Sequence, residues 1–297
     1  MTACIGALTL TGPSIILSAD MRVTHGPSPV GPNDQAGKQY PLPPYNCAAV
    51  IGGSISECHE FIGRLVQHCE SFATKERHPY REEMMEAIDE SRWQVYRPKI
   101  NQALKADLGI SLDDWHEKFI PPAKFDLAAE AFGMQVIRNT PLNVSTIVGG
   151  FIGENTMFFC AKGMRQIQSE SSPGVHAIGS GSIHAMQKLN ERGQNLAYGL
   201  ARTIFHVHEA MVSAQQETTV GSPTNYLVVI KDRPLLQIRP DNSLLKGWLS
   251  HFHDRNSAPL DSEESNLAIQ AEMLPAQMPP YSRPLPMIDV IRFDSDL

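Results

Sequence analysis

The sequence lacks a cysteine framework. Its five cysteines, Cys4, Cys47, Cys58, Cys69 and Cys160, are odd in number, far apart and never spaced as CxxC. That pattern argues against both a disulfide scaffold and a zinc cluster, and fits reduced thiols in a core. No apolar run approaches the roughly 20 residues that span a bilayer. No basic stretch precedes the apolar N-terminal segment, so the expectation is a cytoplasmic protein without a membrane partner. Positive charge is also short: 25 Lys and Arg stand against 32 Asp and Glu, for a net charge of -7. With no dense Lys/Arg stripe, a nucleic-acid partner is not expected. Internal repeats and long low-complexity tracts are absent too.

What is there is a globular composition. The 297 residues, 42% hydrophobic and 19% charged, suit one large domain or two smaller ones. A strand-like run from Thr2 to Thr11 turns at Gly12-Pro13 and returns through Ile15 to Asp20. A Pro/Gly/Asn-rich loop from His25 to Gly37 leads through Lys38 to a third strand, Cys47 to Gly52. Ile55, Cys58, Ile62, Leu65, Val66, Cys69 and Phe72 then recur near helical spacing, with Ser54 and Glu57 as a candidate capping box. Residues 81–138 read as mostly helical, with expected breaks at Pro98, around Gly109 to Ser111, and at Pro121-Pro122; Ser111 to Asp114 offers a restart. Asn143 to Ile152 and Thr156 to Cys160 flank Gly153-Glu154-Asn155 as a hairpin. Val175 to Gly179 continues this second sheet and ends at Ser180-Gly181-Ser182, before a helical pattern over 183–215 that is interrupted near Gly193. Tyr226 to Ile230 and Leu235 to Ile238 form the last strand pair. Beyond Arg239 the chain becomes rich in Pro, Ser, Asp and Met, with one short helix expected near 262–273. This order suits two antiparallel sheets face to face with helices outside, and equally an ordinary α+β domain.

The chemistry concentrates at the start. Removal of Met1 would leave Thr2 as a free N-terminal residue carrying both a hydroxyl nucleophile and, in its α-amine, a base of unperturbed pKa about 7.7–8.0.

Several segments together resemble the proteasome β-subunit family of N-terminal-nucleophile hydrolases, bacterial relatives included. Thr2-Ala-Cys-Ile-Gly6 is similar to the family's first strand beginning at the nucleophile, and Ser18-Ala-Asp20-Met-Arg22-Val-Thr24 to its second-strand motif. Lys38 stands where the family has its catalytic lysine. Val50-Ile-Gly52-Gly-Ser54 is similar to the turn that supplies the oxyanion amide, and Ala177 to Ala185 to the Gly-Ser-Gly-Ser segment. The resemblance covers most of residues 2–232. It implies an α+β fold, a four-layer αββα sandwich over residues 1–239 with an enlarged helical insert at about 75–140, followed by an extension over 240–297 that packs on the body or on a neighbouring subunit.

It also implies roles. Thr2 would attack a carbonyl while its α-amine takes the proton, and Lys38 would stabilise the alkoxide and lower the amine's proton affinity as a like charge. Asp20 would orient Lys38, and Arg22, two residues along, would join that ion-pair network. The Gly52 amide would bind the oxyanion, Ser180 would donate to the Thr2 amine, and Thr24 would hold an extended substrate through its backbone. Val23, Val50 and Ser54 would line a modest, neutral specificity pocket. The family's Asp and Ser after the long helix are matched here by Glu217 and Ser222. The segment between Gly52 and Ser180 is longer than in typical members, and the tail is additional.

Other features read as structural. His206 and His208 are two apart on a helix, facing differently; His251 and His253 lack further ligands; Trp93, Trp115 and Trp248 read as packing residues, and the methionines as core or contact surface. The resulting expectation is a threonine-type peptidase that needs no cofactor or metal and assembles as a homo-oligomer, closed ring or open helical stack, with no unfoldase partner identified. Two alternatives stand beside it: a small-molecule amidase of the same superfamily, and a non-catalytic assembly subunit.

Overall fold

A computed structural model describes residues 2–20, 37–74, 78–119, 127–169, 174–217, 220–221, 224–238, 242–252 and 262–276. It is a mixed α+β structure with two antiparallel sheets. The first sheet is founded on a hairpin of β1 (Ala3–Thr9) and β2 (Ser14–Asp20), every residue of which is buried. The Thr9 and Ser14 hydroxyls bond each other across the hairpin's end at 2.9 Å. Strands covered on both faces read as near-continuous apolar runs rather than as alternation. β8 (Val175–Gly179), expected to continue the second sheet, instead pairs with the free edge of β1 in the first. On the far side of β2 lie β9 (Thr224–Ile230), β10 (Leu236–Ile238) and β11 (Leu274–Pro275), giving the order β11-β10-β9-β2-β1-β8. The second sheet runs β3 (Gln39–Pro41), β4 (Asn46–Gly53), β5 (Val144–Ile152), β6 (Asn155–Lys162), β7 (Gln168–Ser169).

Strand parity sorts the side chains into three cores. Cys4, Leu8, Ile15, Leu17 and Ala19 of the first sheet meet Ala48, Val50, Ile147, Phe158 and Cys160 of the second. Gly6 keeps these sheets close, because a Cβ there would stand 2.7 Å from Ile147 Cγ2. The opposite face of the second sheet, with Ala49, Ile51, Val148 and Phe159, is covered by α1 (Ile55–Thr74), α2 (Arg81–Leu108), α3 (Leu112–Phe119) and α4 (Leu127–Arg138). The opposite face of the first sheet, with Ala3, Ile5, Ile16 and Val228, packs on α5 (Ser182–Glu191) and α6 (Leu200–Ala214). α7 (Ser243–Phe252) and α8 (Glu263–Ala271) send Leu245 and Ile269 into that same core, so the described part of the C-terminal region is packed on the body. The helix expected near 262–273 is α8, whereas α7 fell in a stretch whose Pro, Ser and Asp content masked it.

Two further expectations are corrected. Pro98 does not break α2, which runs unbroken for 28 residues. The missing N–H falls on the exposed side, where water can serve the freed carbonyl, while Val95, Tyr96, Ile100 and Leu104 anchor the other side in the core. Glu57 does not reach back to cap α1; its carboxylate accepts Lys99 Nζ at 2.9 Å and the Asn143 N–H at 2.8 Å, tying α1 to α2 and to the approach of β5. The restart at Ser111 is a reciprocal box, with the Asp114 N–H on Ser111 Oγ at 3.0 Å and the Ser111 N–H on Asp114 Oδ2 at 3.0 Å.

All five cysteines are buried free thiols. Burial pushes Cys58 and Cys69 up to about 12. Among the described residues no helix is long and apolar enough to cross a membrane.

Burial also depresses His176, His206 and His208 to about 4, helped by Lys162 at His176 and by Arg202 and Arg192 at His206. The folded chain therefore binds fewer protons than the unfolded chain between about 4 and the ordinary value of 6.5. Their contribution to stability is complete above that window and is lost as pH falls through it. Urea titrations from pH 7 to pH 4 should show stability declining, with a shallower decline in His206→Gln.

Candidate active site

The site forms where β1 begins, β2 ends and β4 gives way to α1. The register of β1 on β2 sets Cys4 opposite Ala19, which brings the Asp20 carboxylate beside the Ala3 amide. Asp20 Oδ1 accepts the Ala3 N–H at 2.9 Å and Lys38 Nζ at 2.8 Å. Its other oxygen, Oδ2, accepts the Gly221 N–H at 3.1 Å from the loop between α6 and β9. The Asp20 side chain is wholly buried and that of Lys38 is 11% exposed. A carboxylate taken out of water thus gains three donors among the described residues, one of them cationic, which is the condition for keeping a buried charge. Lys38 is fixed at its main chain as well, its carbonyl accepting the Ile51 N–H at 2.9 Å. Its ammonium is consequently no more than two hydrogen-bond lengths from the Thr2–Ala3 peptide.

Thr2 continues the parity of β1, so its side chain points between the sheets. There it meets Gly52, where a Cβ would lie 3.2 Å from Thr2 Cγ2. Two residues along β1, the Cys4 thiol donates to the carbonyl of Ile51, the residue before Gly52, at 3.3 Å, pinning the start of β1 over the end of β4. Burial raises that thiol first, then the Asp20 charge, while Lys38 opposes; the ion pair is felt at Cys4. The Thr2 carbonyl accepts the Gly181 N–H and the Ser180 hydroxyl, each at 3.4 Å. Gly179 makes that approach feasible: its φ is +89°, and a Cβ there would lie 2.0 Å from the Thr2 carbonyl oxygen.

The ladder of β4 bears on the amide assigned to the oxyanion. The Ile51 N–H goes to Lys38 on the β3 side and the Ser54 N–H to Asn143 on the β5 side. Antiparallel alternation then directs the Gly52 N–H toward its partner Ser145 and the Gly53 N–H toward the β3 side, past the last described β3 pair. Gly52 is the glycine in contact with Thr2, and the Gly53 amide turns to the β3 side.

Of the residues expected at the site, the structure brings together Thr2, Asp20, Lys38, Gly52 and Ser180. Val50 is fully buried in the core between the sheets, its position on β4 sharing the face of Ala48. Ser54 sits half-buried at the start of α1 with its hydroxyl on Ser56 at 3.2 Å. Glu217 lies in the turn after α6, where its carbonyl accepts the Val220 N–H at 2.9 Å. Arg22, Val23, Thr24 and Ser222 lie outside the described residues. Two residues were missed. Gly221 holds Asp20, and Val220 fills the space beside Gly181, whose Cβ would lie 2.8 Å from Val220 Cγ2. Neither announces itself in sequence, since one acts through its backbone and the other is an ordinary aliphatic residue. Among the described residues no group of His, Cys, Asp and Glu is placed to hold a metal ion.

No protein-family model matches the chain, and no curated protein matches it in sequence. Among solved structures it is similar to the Anbu (Gly-1) mutant from Hyphomicrobium sp. strain MC1, with a TM-score of 0.59 over 86% of this chain and 94% of that one, at 11% identity. The likeness is one of fold. Anbu is a bacterial proteasome-like protein, so the chain has a proteasome-related fold.

Gly179→Ala should displace the Thr2 carbonyl and destabilise the fold by about 1–3 kcal/mol, the cost of a non-glycine residue in such a backbone region. Thermal melts together with hydrogen exchange at Ala3 and Gly181 would register it, and exchange unchanged from the unmodified chain would refute it.

Proposed function

We propose that this chain is an N-terminal-nucleophile hydrolase of the threonine type, acting on peptide bonds once Met1 is removed. The three cores are read as the interfaces between the layers of a four-layer αββα sandwich. The observation that carries the proposal is the single oxygen of Asp20 shared by Lys38 and by the amide next to Thr2. It joins a buried cation to the start of the chain with no intermediary but one carboxylate.

In this reading the Thr2 hydroxyl attacks the substrate carbonyl and its proton passes to the Thr2 α-amine, directly or through a water. Lys38 stabilises the developing alkoxide and, as a like charge, keeps the amine neutral enough near pH 7 to act as base. Asp20 fixes Lys38 and the Ala3 amide together, so nucleophile and cation are positioned by one group. The Gly52 amide, in the Gly52–Gly53 turn, is the proposed oxyanion donor, and the turn's lack of Cβ atoms lets a substrate backbone approach. Collapse of the tetrahedral intermediate expels the amine, protonated by the Thr2 ammonium, and leaves an ester at Thr2. Water then attacks that ester by the same route in reverse. Ser180 steadies the Thr2 main chain from the turn before α5. Arg22, Thr24, Glu217 and Ser222 keep the supporting roles expected of them, in the ion-pair network, in substrate alignment and near the amine. Assembly into a homo-oligomer would restrict access to such a site, and the resemblance to proteasome subunits favours it.

Intact mass of the purified chain after exposure to a threonine-directed epoxyketone or β-lactone tests this. The expected result is loss of Met1 and one adduct at Thr2, abolished in Thr2→Ala and slowed about 100-fold or more in Lys38→Met, the scale of a lost acid–base or electrostatic partner. A chain that keeps Met1 and takes no adduct would refute the proposal. A fluorogenic peptide panel run beside a small-amide panel then identifies the substrate class.

A further inference from the structure

Asp20 stands at one end of a polar seam running through an otherwise apolar core. Pairing of β2 with β9 sets Ser18 opposite Tyr226 and Asp20 opposite Thr224. All four side chains share the face that Ile16 and Val228 present to α6. Tyr226 is 1% exposed, and its packing would be served equally by phenylalanine. Its hydroxyl is instead committed to a 2.5 Å hydrogen bond with Nδ1 of His208 on α6, and it is also bonded to the Thr224 hydroxyl. Thr224 Oγ1 in turn accepts Gln215 Nε2 at 3.3 Å.

That last bond closes a loop. Gln215 is the cap residue of α6 and Thr224 the first residue of β9, so their side chains clasp the two ends of the connection that carries Gly221. Gly221 is the donor to Asp20 Oδ2. The chain of contacts from His208 through Tyr226 and Thr224 to Gln215 thus sets the span of the loop, and the loop sets one of the three donors on Asp20. Burial lowers His208 to about 4, so near pH 7 the ring is neutral and its Nδ1 can accept from the phenol.

We propose that His208, Tyr226, Thr224 and Gln215 are positioning residues for Asp20, and through it for Lys38 and Thr2. The proposal deepens the hydrolase reading and rests on it for its functional meaning. None of the four touches the reacting atoms. Their task is to hold the loop so that the Gly221 amide keeps the carboxylate turned toward Lys38 and Ala3. Such supporting groups are commonly worth an order of magnitude or more when lost.

The test uses the full-length chain and two readouts. The first is hydrogen exchange and amide proton shift at Ala3 and Gly221, whose N–H groups report the two Asp20 oxygens directly, with Ile147 and Val148 in β5 as fold controls. The second is the pH profile of the β-lactone acylation rate. Tyr226→Phe should speed exchange at Gly221 and Ala3 about tenfold while the β5 amides hold, slow acylation by about tenfold, and move the midpoint of the pH profile. Gln215→Met, altered at a half-buried position, should do the same more mildly, and it serves if Tyr226→Phe fails to fold. His208→Gln, which keeps a partner for the phenol, should retain most of the effect of the native residue. Ala3 and Gly221 amides indistinguishable from those of the unmodified chain in both Tyr226→Phe and Gln215→Met would overturn the proposal, whatever the acylation rates. Amides that respond in a chain that takes no adduct at Thr2 would uphold the array and sink the hydrolase reading instead.

Discussion

One carboxylate oxygen organises the functional end of this molecule. Asp20 Oδ1 lies where β2 runs out, accepts the first amide of β1, and holds the ammonium of a residue that precedes β3. Those partners come from the first sheet and from the approach to the second, so the group spans the seam between them. A buried charge of this kind is costly unless fully paired. Its donors are therefore the strongest constraint on how the two sheets meet at this end.

The remainder of the architecture follows from that meeting. Gly6 lets the sheets approach, Gly52 lets Thr2 lie against β4, and Gly179 lets β8 pass the Thr2 carbonyl. At Gly6 and Gly179 a side chain would force the contact apart, and at Gly52 it would crowd Thr2. The cores on either side supply bulk stability, and α6 with its following loop supplies the last donor to Asp20. A long helical layer outside the second sheet and the helices α7 and α8 outside the first thicken the body without entering the site.

Much of this was legible in sequence, and for identifiable reasons. The hairpin of β1 and β2 and the strands β4, β5, β6 and β9 are marked by apolar runs bounded by Gly, Pro and Asn, and α1 by its spacing of buried residues. Thr2, Asp20, Lys38, Gly52 and Ser180 could be singled out because each belongs to a short local pattern in a fixed order. What escaped was non-local or carried by backbone. Pro98 looked like a break because a sequence does not say which side of a helix faces water. Glu57 looked like a cap because Lys99 and Asn143 compete for it only after folding. Gly221 and Val220 gave no signal, since an amide donor and an aliphatic filler are set by the loop's path.

The central claim is that Asp20 and Lys38 act on Thr2 as a unit, and a double-mutant cycle on the rate of Thr2 acylation reads this most directly. The account predicts that Asp20→Asn and Lys38→Met each slow acylation severely and that the double variant is scarcely slower than the worse of the two, as for residues that share one task. Effects that simply multiply, or an Asp20→Asn variant that acylates at the native rate, would contradict it.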